Sequence, residues 1–171
     1  MVLRFLLALA LLVSSASALV VGSPRVVTRS GAASLSMGIA TFRTGDKVQV
    51  ITGADKGIVN VWRDDACVCT IEGHDAHVIA VAVLPGGARF VSGSLDGTAK
   101  LWTFDGALER TFAMGSEVYC VAALDGVHFV VGLSLRYEAD LGYRYAVKLY
   151  HVDGTLVHTF GGHTDVVRAV A

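Results

Sequence analysis

Short apolar runs separated by turn residues make up most of the chain. The clearest runs share strand length and a content rich in Val, Leu and Phe; they cover 78–84, 89–94, 98–103 and 108–112. Pro85-Gly86-Gly87, Asp96-Gly97 and Asp105-Gly106 separate them. Asp-Gly supplies the positive φ angles that two-residue hairpin turns need. No apolar stripe of period 3.6 that is long enough for a helix follows residue 38, so the pattern predicts antiparallel strands.

This pattern recurs along the chain. The segment VITGADKGIVNVW (50–62) aligns without gaps with FVSGSLDGTAKLW (90–102), and WTFDGALERTF (102–112) aligns with YHVDGTLVHTF (150–160). A third match joins GHDAHVIAVA, which begins at Gly73, to GHTDVVRAVA, which begins at Gly162. Four short strands repeating at a period near 40 residues describe a propeller blade. The predicted fold class is therefore all-β, with β-propeller blades of four antiparallel strands in an incomplete ring.

Particular polar residues accompany the second unit. A Gly-His pair ends at His74, and Ser92, Ser94, Asp96 and Trp102 follow it in that order. This arrangement resembles the WD-repeat signature. The resemblance implies a buried structural hydrogen-bond network in which His74, Asp96 and Trp102 are joined through Ser92 or Ser94. Such a network is physically reasonable, because a buried carboxylate needs hydrogen-bond donors and Trp offers one N–H.

The other units depart from this signature. The first keeps Trp62 but has Lys56 at the Asp position, and the third has Tyr150 at the Trp position. The third unit is also longer, since 129–150 exceeds the equivalent 90–102 by nine residues. Tyr and Arg are common in interface hot spots. The insertion is therefore a candidate partner-binding loop, with the candidate residues Arg136, Tyr137, Tyr143, Arg144 and Tyr145.

The repeats divide the chain into one predicted domain behind a leader. A partial WD-repeat propeller is expected over 39–171, with blades at about 39–72, 73–112 and 113–160 and the start of a fourth at 161–171. Closed propellers usually have 4–8 blades. The chain is therefore expected to be a fragment of a longer propeller, or to need another chain to complete the ring.

The leader has the form of a targeting sequence. Arg4 precedes the apolar run 5–13, and Ala16-Ser17-Ala18 provides a small-x-small cleavage pattern, so 1–18 is expected to be a signal peptide. The acid-free segment 19–38 contains Arg and Ser, and is either transit-like or a disordered linker. Entry into the secretory pathway is expected, with the protein then secreted or sent to a plastid through a two-part leader.

The composition and charge of the chain do not indicate a nucleic-acid, membrane or metal site. The net charge of −1 and the scattered basic residues give no support to nucleic-acid binding. The apolar leader run is too short to span a membrane. Cys67, Cys69, His74 and His77 form a compact cluster, but its spacing does not fit common zinc modules, so no metal or cofactor is expected. At strand spacing, Cys67 and Cys69 are expected to point the same way.

These observations predict a non-catalytic scaffold that binds other proteins through loops of a rigid propeller. His74, Asp96 and Ser92 are the residue types of a hydrolase triad, but the implied blade network accounts for all three. The alternatives are a propeller-based enzyme, a metal-binding protein or a truncated nonfunctional product. The identity of the partner does not follow from the fold.

Overall fold

The computed structural model describes residues 25–27, 33–44, 47–64, 66–138 and 142–170. Within this part of the chain the regular structure is antiparallel β-sheet, apart from one 3-10 turn at Asp55–Gly57. The first sheet has the strand order β1-β2-β3-β4-β5. Its strands are β1 (Arg25–Val27), β2 (Ala33–Thr44), β3 (Lys47–Ala54), β4 (Ile58–Arg63) and β5 (Ala66–Glu72).

Two further sheets have four strands each and follow the chain without crossovers. The second sheet consists of β6 (Val78–Val83), β7 (Arg89–Ser94), β8 (Thr98–Thr103) and β9 (Leu108–Ala113). The third sheet consists of β10 (Val118–Ala123), β11 (His128–Glu138), β12 (Gly142–His151) and β13 (Leu156–His163). A propeller blade is an up-and-down meander of four strands, and here β2–β5, β6–β9 and β10–β13 form the three blades. β1 adds a fifth strand at the edge of the first sheet. The predicted fold class is confirmed, and the described residues supply three blades without a closed ring.

The hydrophobic core lies between successive sheets. One cluster joins the first two sheets, and a second joins the second and third sheets. One blade contributes side chains to both clusters, because successive side chains along a strand face opposite sides of the sheet. Trp102 belongs to the cluster shared with the first sheet, while its neighbour Leu101 belongs to the cluster shared with the third.

A glycine in the second strand of a blade lets the next blade pack closely. A Cβ atom on Gly53 would lie 2.7 Å from Cγ1 of Val78, and one on Gly93 would lie 2.5 Å from Cγ1 of Val118. Neither distance is sterically allowed, so a side chain at these positions would push the blades apart. The alignment of 50–62 with 90–102 matches Gly53 with Gly93, but it does not indicate this packing role.

Two strands begin before residue 39. β2 begins at Ala33 and β1 lies at Arg25–Val27, so strands occur within the predicted transit-like or linker segment 19–38. The alternation of Leu35 and Met37 with Ser34 and Ser36 is the period-two pattern of a strand. β2 pairs with β1 over 33–35 and with β3 from Ser36 onwards. The predicted signal peptide, 1–18, lies outside the described residues.

The predicted fourth unit also differs in detail. Gly162-His163 belongs to the end of β13, and no strand forms over 164–170. A strand needs a partner for its backbone groups, and none of the described strands pairs with this segment. Val167 is nevertheless buried, and its Cγ1 would be 3.1 Å from a Cβ on Gly132. Val78 and Val118 pack against Gly53 and Gly93 in the same way.

Candidate functional site

The second blade holds a buried polar chain that begins with a histidine and a carboxylate. His74 lies just before β6, and Asp96 lies in the turn between β7 and β8. Nδ1 of His74 is 2.7 Å from Oδ2 of Asp96, and the backbone N–H of Asp75 donates to the same oxygen at 3.1 Å. Thr98 donates to Oδ1 from its backbone N–H at 2.8 Å and from its hydroxyl at 2.6 Å. Both carboxylate oxygens therefore have two donors.

The hydrogen-bond network continues through Ser92 to Trp102. Nε2 of His74 is 2.7 Å from Oγ of Ser92, and Nε1–H of Trp102 donates to the same Oγ at 2.8 Å. Ser92 lies on β7 and Trp102 on β8, and the short distance between paired strands brings the two side chains together. Because Trp102 already donates to Ser92, the hydroxyl proton of Ser92 is free to be donated to Nε2 of His74.

The electrostatics fix the tautomer of the histidine. Burial lowers the pKa of His74 below its ordinary value, and the hydrogen bond with Asp96 only partly opposes this effect. For Asp96, burial acts to raise the pKa, but the hydrogen bonds from Thr98 and His74 outweigh it and leave the pKa lowered. The favoured state is a neutral imidazole that carries its proton on Nδ1 and a charged carboxylate. Every polar atom along the path from Trp102 to Asp96 is then satisfied.

Ser94 and Thr98 complete the surroundings of this network. Ser94 belongs to the predicted set, but its Oγ donates to the carbonyl of Ala76 at 3.2 Å and accepts from the N–H of Asp96 at 3.1 Å. It therefore holds the turn and does not link His74 to Trp102. Thr98 was missed by the sequence reasoning. A hydroxyl residue two positions after a turn Asp is the signal that could have identified it.

The three groups His74, Asp96 and Ser92 have the connectivity of a hydrolase triad. Their burial, however, separates them from any substrate, since Ser92 has a relative exposure of 0% and His74 of 6%. A nucleophile must reach the reacting atom of its substrate, and Oγ of Ser92 is enclosed by His74 and the indole of Trp102. The network holds β7 and β8 against the loop that contains His74. The enclosed hydroxyl of Ser92 is unsuited to acyl transfer.

The first blade repeats one contact of this network, and the third blade keeps an aromatic residue at the Trp position. In the first blade, Nε1–H of Trp62 donates to Oγ1 of Thr52 at 3.0 Å, which repeats the Trp102–Ser92 contact. In the third blade Tyr150 takes the Trp position, and its ring packs on Phe112 and Phe129 with centroids 5.6 and 6.0 Å away. The aromatic position is thus kept in all three blades, while the full polar chain is built in the second.

Neighbouring blades are also joined at their turns. The carbonyl of Gly57 accepts from the backbone N–H of His74 at 3.3 Å, and the carbonyl of Gly97 accepts from Met114 at 3.0 Å. Gly57 has a φ of 76° and leaves no room for a Cβ, which would lie 1.7 Å from the carbonyl oxygen of His74. The turn of the first blade therefore helps to position the histidine of the second.

The predicted insertion forms the far end of the β11–β12 hairpin. Phe129 pairs with Tyr150 as Phe90 pairs with Trp102, so these positions are structurally equivalent. Pairing in the second blade ends at Gly93 and Ala99, whereas in the third it continues to Glu138 and Gly142. The backbone of Arg136, Tyr137, Tyr143, Arg144 and Tyr145 lies in this extension. Tyr145 is half-buried and packs beside Cys120, Val147 and Val167.

The compact cysteine and histidine cluster is dispersed by the fold. Val61 pairs with Cys69 and Trp62 pairs with Cys67, so a bulge at Val68 turns the two thiols to opposite faces. The expectation that they point the same way was wrong, because a bulge shifts the alternation by one residue. Cys67 contacts Asn60 and Thr70, while Cys69 lies beside Asp105 of the second blade. Among the described residues, no three His, Cys, Asp or Glu side chains form a metal-binding group.

Comparisons with known proteins agree with this geometry. The family described as "WD domain, G-beta repeat" matches residues 65–103, which cover the end of the first blade and most of the second. A solved structure, the WD40 beta propeller domain of Doa1, superposes with a TM-score of 0.60 and 26% identity over 73% of this chain and 39% of that one. These findings, together with the three sheets, show that the chain contains a WD repeat and forms part of a WD-repeat β-propeller.

Two curated relatives are similar to this chain in sequence. "Pre-mRNA-processing factor 19 homolog 2" of Arabidopsis thaliana is 33% identical over 74% of this chain and 25% of its own length. "Probable coatomer subunit beta'" of Schizosaccharomyces pombe is 32% identical over 47% of this chain and 11% of its own length. The chain thus spans a quarter or less of these relatives. In the part of the chain that the structure describes, no helix is long and apolar enough to cross a membrane.

Proposed function

We propose that the chain is a non-catalytic protein–protein interaction scaffold of the WD-repeat type. WD-repeat domains generally serve as interaction scaffolds. The yeast relative is named as a subunit, and therefore as a component of an assembly. The enclosed Ser92 hydroxyl also favours a binding role over hydrolysis, because the one triad-like set in the described residues has no access to substrate.

The extended β11–β12 hairpin is the observation that carries this proposal. It stands on the same edge of the molecule as the Asp55–Gly57 turn and the Asp96-Gly97 turn, because all three connect the second and third strands of a blade. The blades below it are held by the packed core, and the backbone N–H of Ser134 donates to the carbonyl of Glu117 at 3.2 Å. A projecting hairpin on a rigid base is a common way to present a binding surface.

The composition of the extension fits recognition of a protein. The segment from Arg136 to Tyr145 contains three Tyr and two Arg, together with Glu138 and Asp140. Tyr and Arg give large contact areas and directed hydrogen bonds, which is why they are enriched at hot spots. A partner that offers both carboxylates and apolar surface suits this mixture. We propose that Arg136, Tyr137, Tyr143, Arg144 and Tyr145 are the recognition residues.

The hairpin can be shortened at a position that the structure defines. Ser134 and Tyr145 face each other directly across β11 and β12. Replacement of 135–144 by a two-residue Asp-Gly turn should therefore close the hairpin without changing the blade below it. Pull-down from the native source, with bound proteins quantified against the unaltered chain, should then show a loss of at least tenfold for the specific partners.

A matched control separates loss of recognition from loss of folding. Thr111→Ala changes an exposed side chain on β9, away from the hairpin, and should leave capture within twofold of the unaltered chain. Circular dichroism should give the same melting temperature for the control and the unaltered chain, and a change of a few degrees at most for the shortened hairpin. Equal capture of the same partners by a folded, shortened variant would rule out the hairpin as the recognition element.

We also propose that residues 1–18 direct the chain into the secretory pathway. The support is the order of Arg4, the apolar run 5–13 and Ala16-Ser17-Ala18. N-terminal sequencing of the native protein should find Leu19, or a start near Gly38 if a transit peptide is also removed. Recovery of an intact Met1 terminus would contradict the proposal.

A further inference from the structure

The third blade carries a pair of histidines that none of the networks described above uses. His128 begins β11 and His151 ends β12, and the two residues are direct cross-strand partners. Their ring centroids are 5.0 Å apart, with an angle of 66° between the planes. Both side chains keep about a third of their surface exposed, 31% in each case. Solvent and small ions therefore reach both imidazoles.

Each ring lies beside a carboxylate. Nδ1 of His128 is 2.9 Å from Oδ2 of Asp125, and Nδ1 of His151 is 3.0 Å from Oδ1 of Asp153. An imidazole that donates from Nδ1 to a carboxylate has its Nε2 lone pair available, which is the usual preparation of a metal-binding histidine. The backbone N–H of Asp153 also approaches Nδ1 of His151 at 3.2 Å and favours the other tautomer. A metal at Nε2 would select the carboxylate-bonded one.

The pair is not a requirement of the blade architecture. The same two positions hold Arg89 and Thr103 in the second blade, which also face each other across the strands. In the first blade they hold Gln49 and Arg63. Packing of a blade therefore does not demand imidazoles here.

The spacing of the rings matches chelation of one ion. Zinc-class ions bind imidazole nitrogen at about 2.0–2.1 Å in tetrahedral geometry. Each ring centroid then lies about 3.2 Å from the metal, and two such centroids are separated by about 5 Å at the tetrahedral angle. The observed centroid separation of 5.0 Å agrees with this value.

We propose that His128 and His151 form a two-histidine site for a zinc-class divalent metal ion on the surface of the third blade. Asp125 and Asp153 are the carboxylates that orient the ligands and supply negative charge nearby. Arg89 is the cation on the adjoining edge of the second blade, where it donates to the carbonyl of Gly126 at 2.8 Å and lies 3.6 Å from Glu109. Two protein ligands leave coordination positions open to water or to a carboxylate of a bound protein.

Zinc titration of the untagged, full chain tests this site. The titration is done in a Cys67→Ser background, because Cys67 is an exposed free cysteine and thiolates are good zinc ligands. Isothermal calorimetry with zinc chloride should show one saturable site that is at least tenfold weaker in His128→Asn and in His151→Asn, since either change removes chelation. His158→Asn is the matched control, because His158 is an exposed histidine whose ring packs on Phe160.

The control should bind zinc within twofold of the background chain. Zinc should also raise the melting temperature of the background chain and the control, but not of the two ligand variants. The metal-free melting temperatures of all four proteins should agree within a few degrees, which shows that the variants fold. Zinc affinity unchanged in both ligand variants, or reduced equally in the control, would overturn the proposal.

Discussion

Removal of one hydroxyl should disconnect the buried network of the second blade. Ser92 accepts from Nε1–H of Trp102 at 2.8 Å and lies 2.7 Å from Nε2 of His74. Ser92→Ala therefore leaves one donor and one acceptor without partners in a buried site. A stranded buried polar group costs about 1–3 kcal/mol, so the two together should lower the free energy of unfolding by about 2–6 kcal/mol.

The first blade supplies a control for this perturbation. Thr52 accepts from Trp62 in the equivalent contact, and Thr52→Val removes the hydroxyl while it keeps the side-chain volume. Only one donor loses its partner, and Trp62 is less deeply buried than Trp102, so water can replace the bond. The expected loss is about 1 kcal/mol or less. The difference between the two variants combines the contribution of the histidine branch with that of the deeper burial of Trp102.

Urea denaturation followed by far-ultraviolet circular dichroism measures both losses. In a parallel thermal melt, 1 kcal/mol corresponds to about 2–4 °C for a chain of this length, so Ser92→Ala should melt about 4–24 °C lower than the unaltered chain. Ser92→Ala should cost less in a Trp102→Phe background, where no indole N–H remains to be stranded. Equal losses for Ser92→Ala and Thr52→Val, together with no coupling between Ser92 and Trp102, would refute the reasoning.

Two other predictions concern the turn and the acid response. Gly57→Ala should destabilise the chain more than Gly86→Ala, because both glycines have positive φ but only at Gly57 would the Cβ collide with the carbonyl of His74; comparative thermal melts measure the difference, and equal losses would contradict it. The pKa values of His74 and Asp96 are both lowered by folding, so the unfolded chain binds more protons as the pH falls. Stability should decline below about pH 6.5 by up to about 1.4 kcal/mol per pH unit for the histidine, and again in the acid range of the carboxylate. Denaturation midpoints between pH 8 and 5 should show a smaller decline in His74→Gln, and an identical decline in that variant would exclude His74 as the cause.

Much of the second blade could be predicted from the sequence. The strands of this blade follow one another in the sequence, and Asp-Gly turns mark their ends. For this reason β7 and β8 were predicted with the observed bounds. The resemblance to the WD-repeat signature, and not the spacing alone, implied a network of His74, Asp96 and Trp102 joined through Ser92 or Ser94, and the structure uses Ser92 for that link.

Features that depend on long-range packing were harder to predict. The bulge at Val68 turned Cys67 away from Cys69, and nothing in the local alternation indicates an extra residue in one strand. The strand that begins at Ala33 was missed because the acid-free composition of 19–38 outweighed its short period-two pattern. The facing of His128 and His151 depends on the register of the elongated hairpin, which residue counting alone did not provide.

Site-specific photocrosslinking tests the scaffold proposal most directly. A benzophenone amino acid is placed at Tyr137 in the hairpin and, separately, at Leu156 on β13, which is 46% exposed. Both proteins are irradiated in extracts of the native source, and the crosslinked proteins are identified by mass spectrometry. The account predicts that the hairpin probe forms specific crosslinks to a partner and that the Leu156 probe forms few. Crosslinks to the same partner from Leu156 but none from Tyr137 would contradict it.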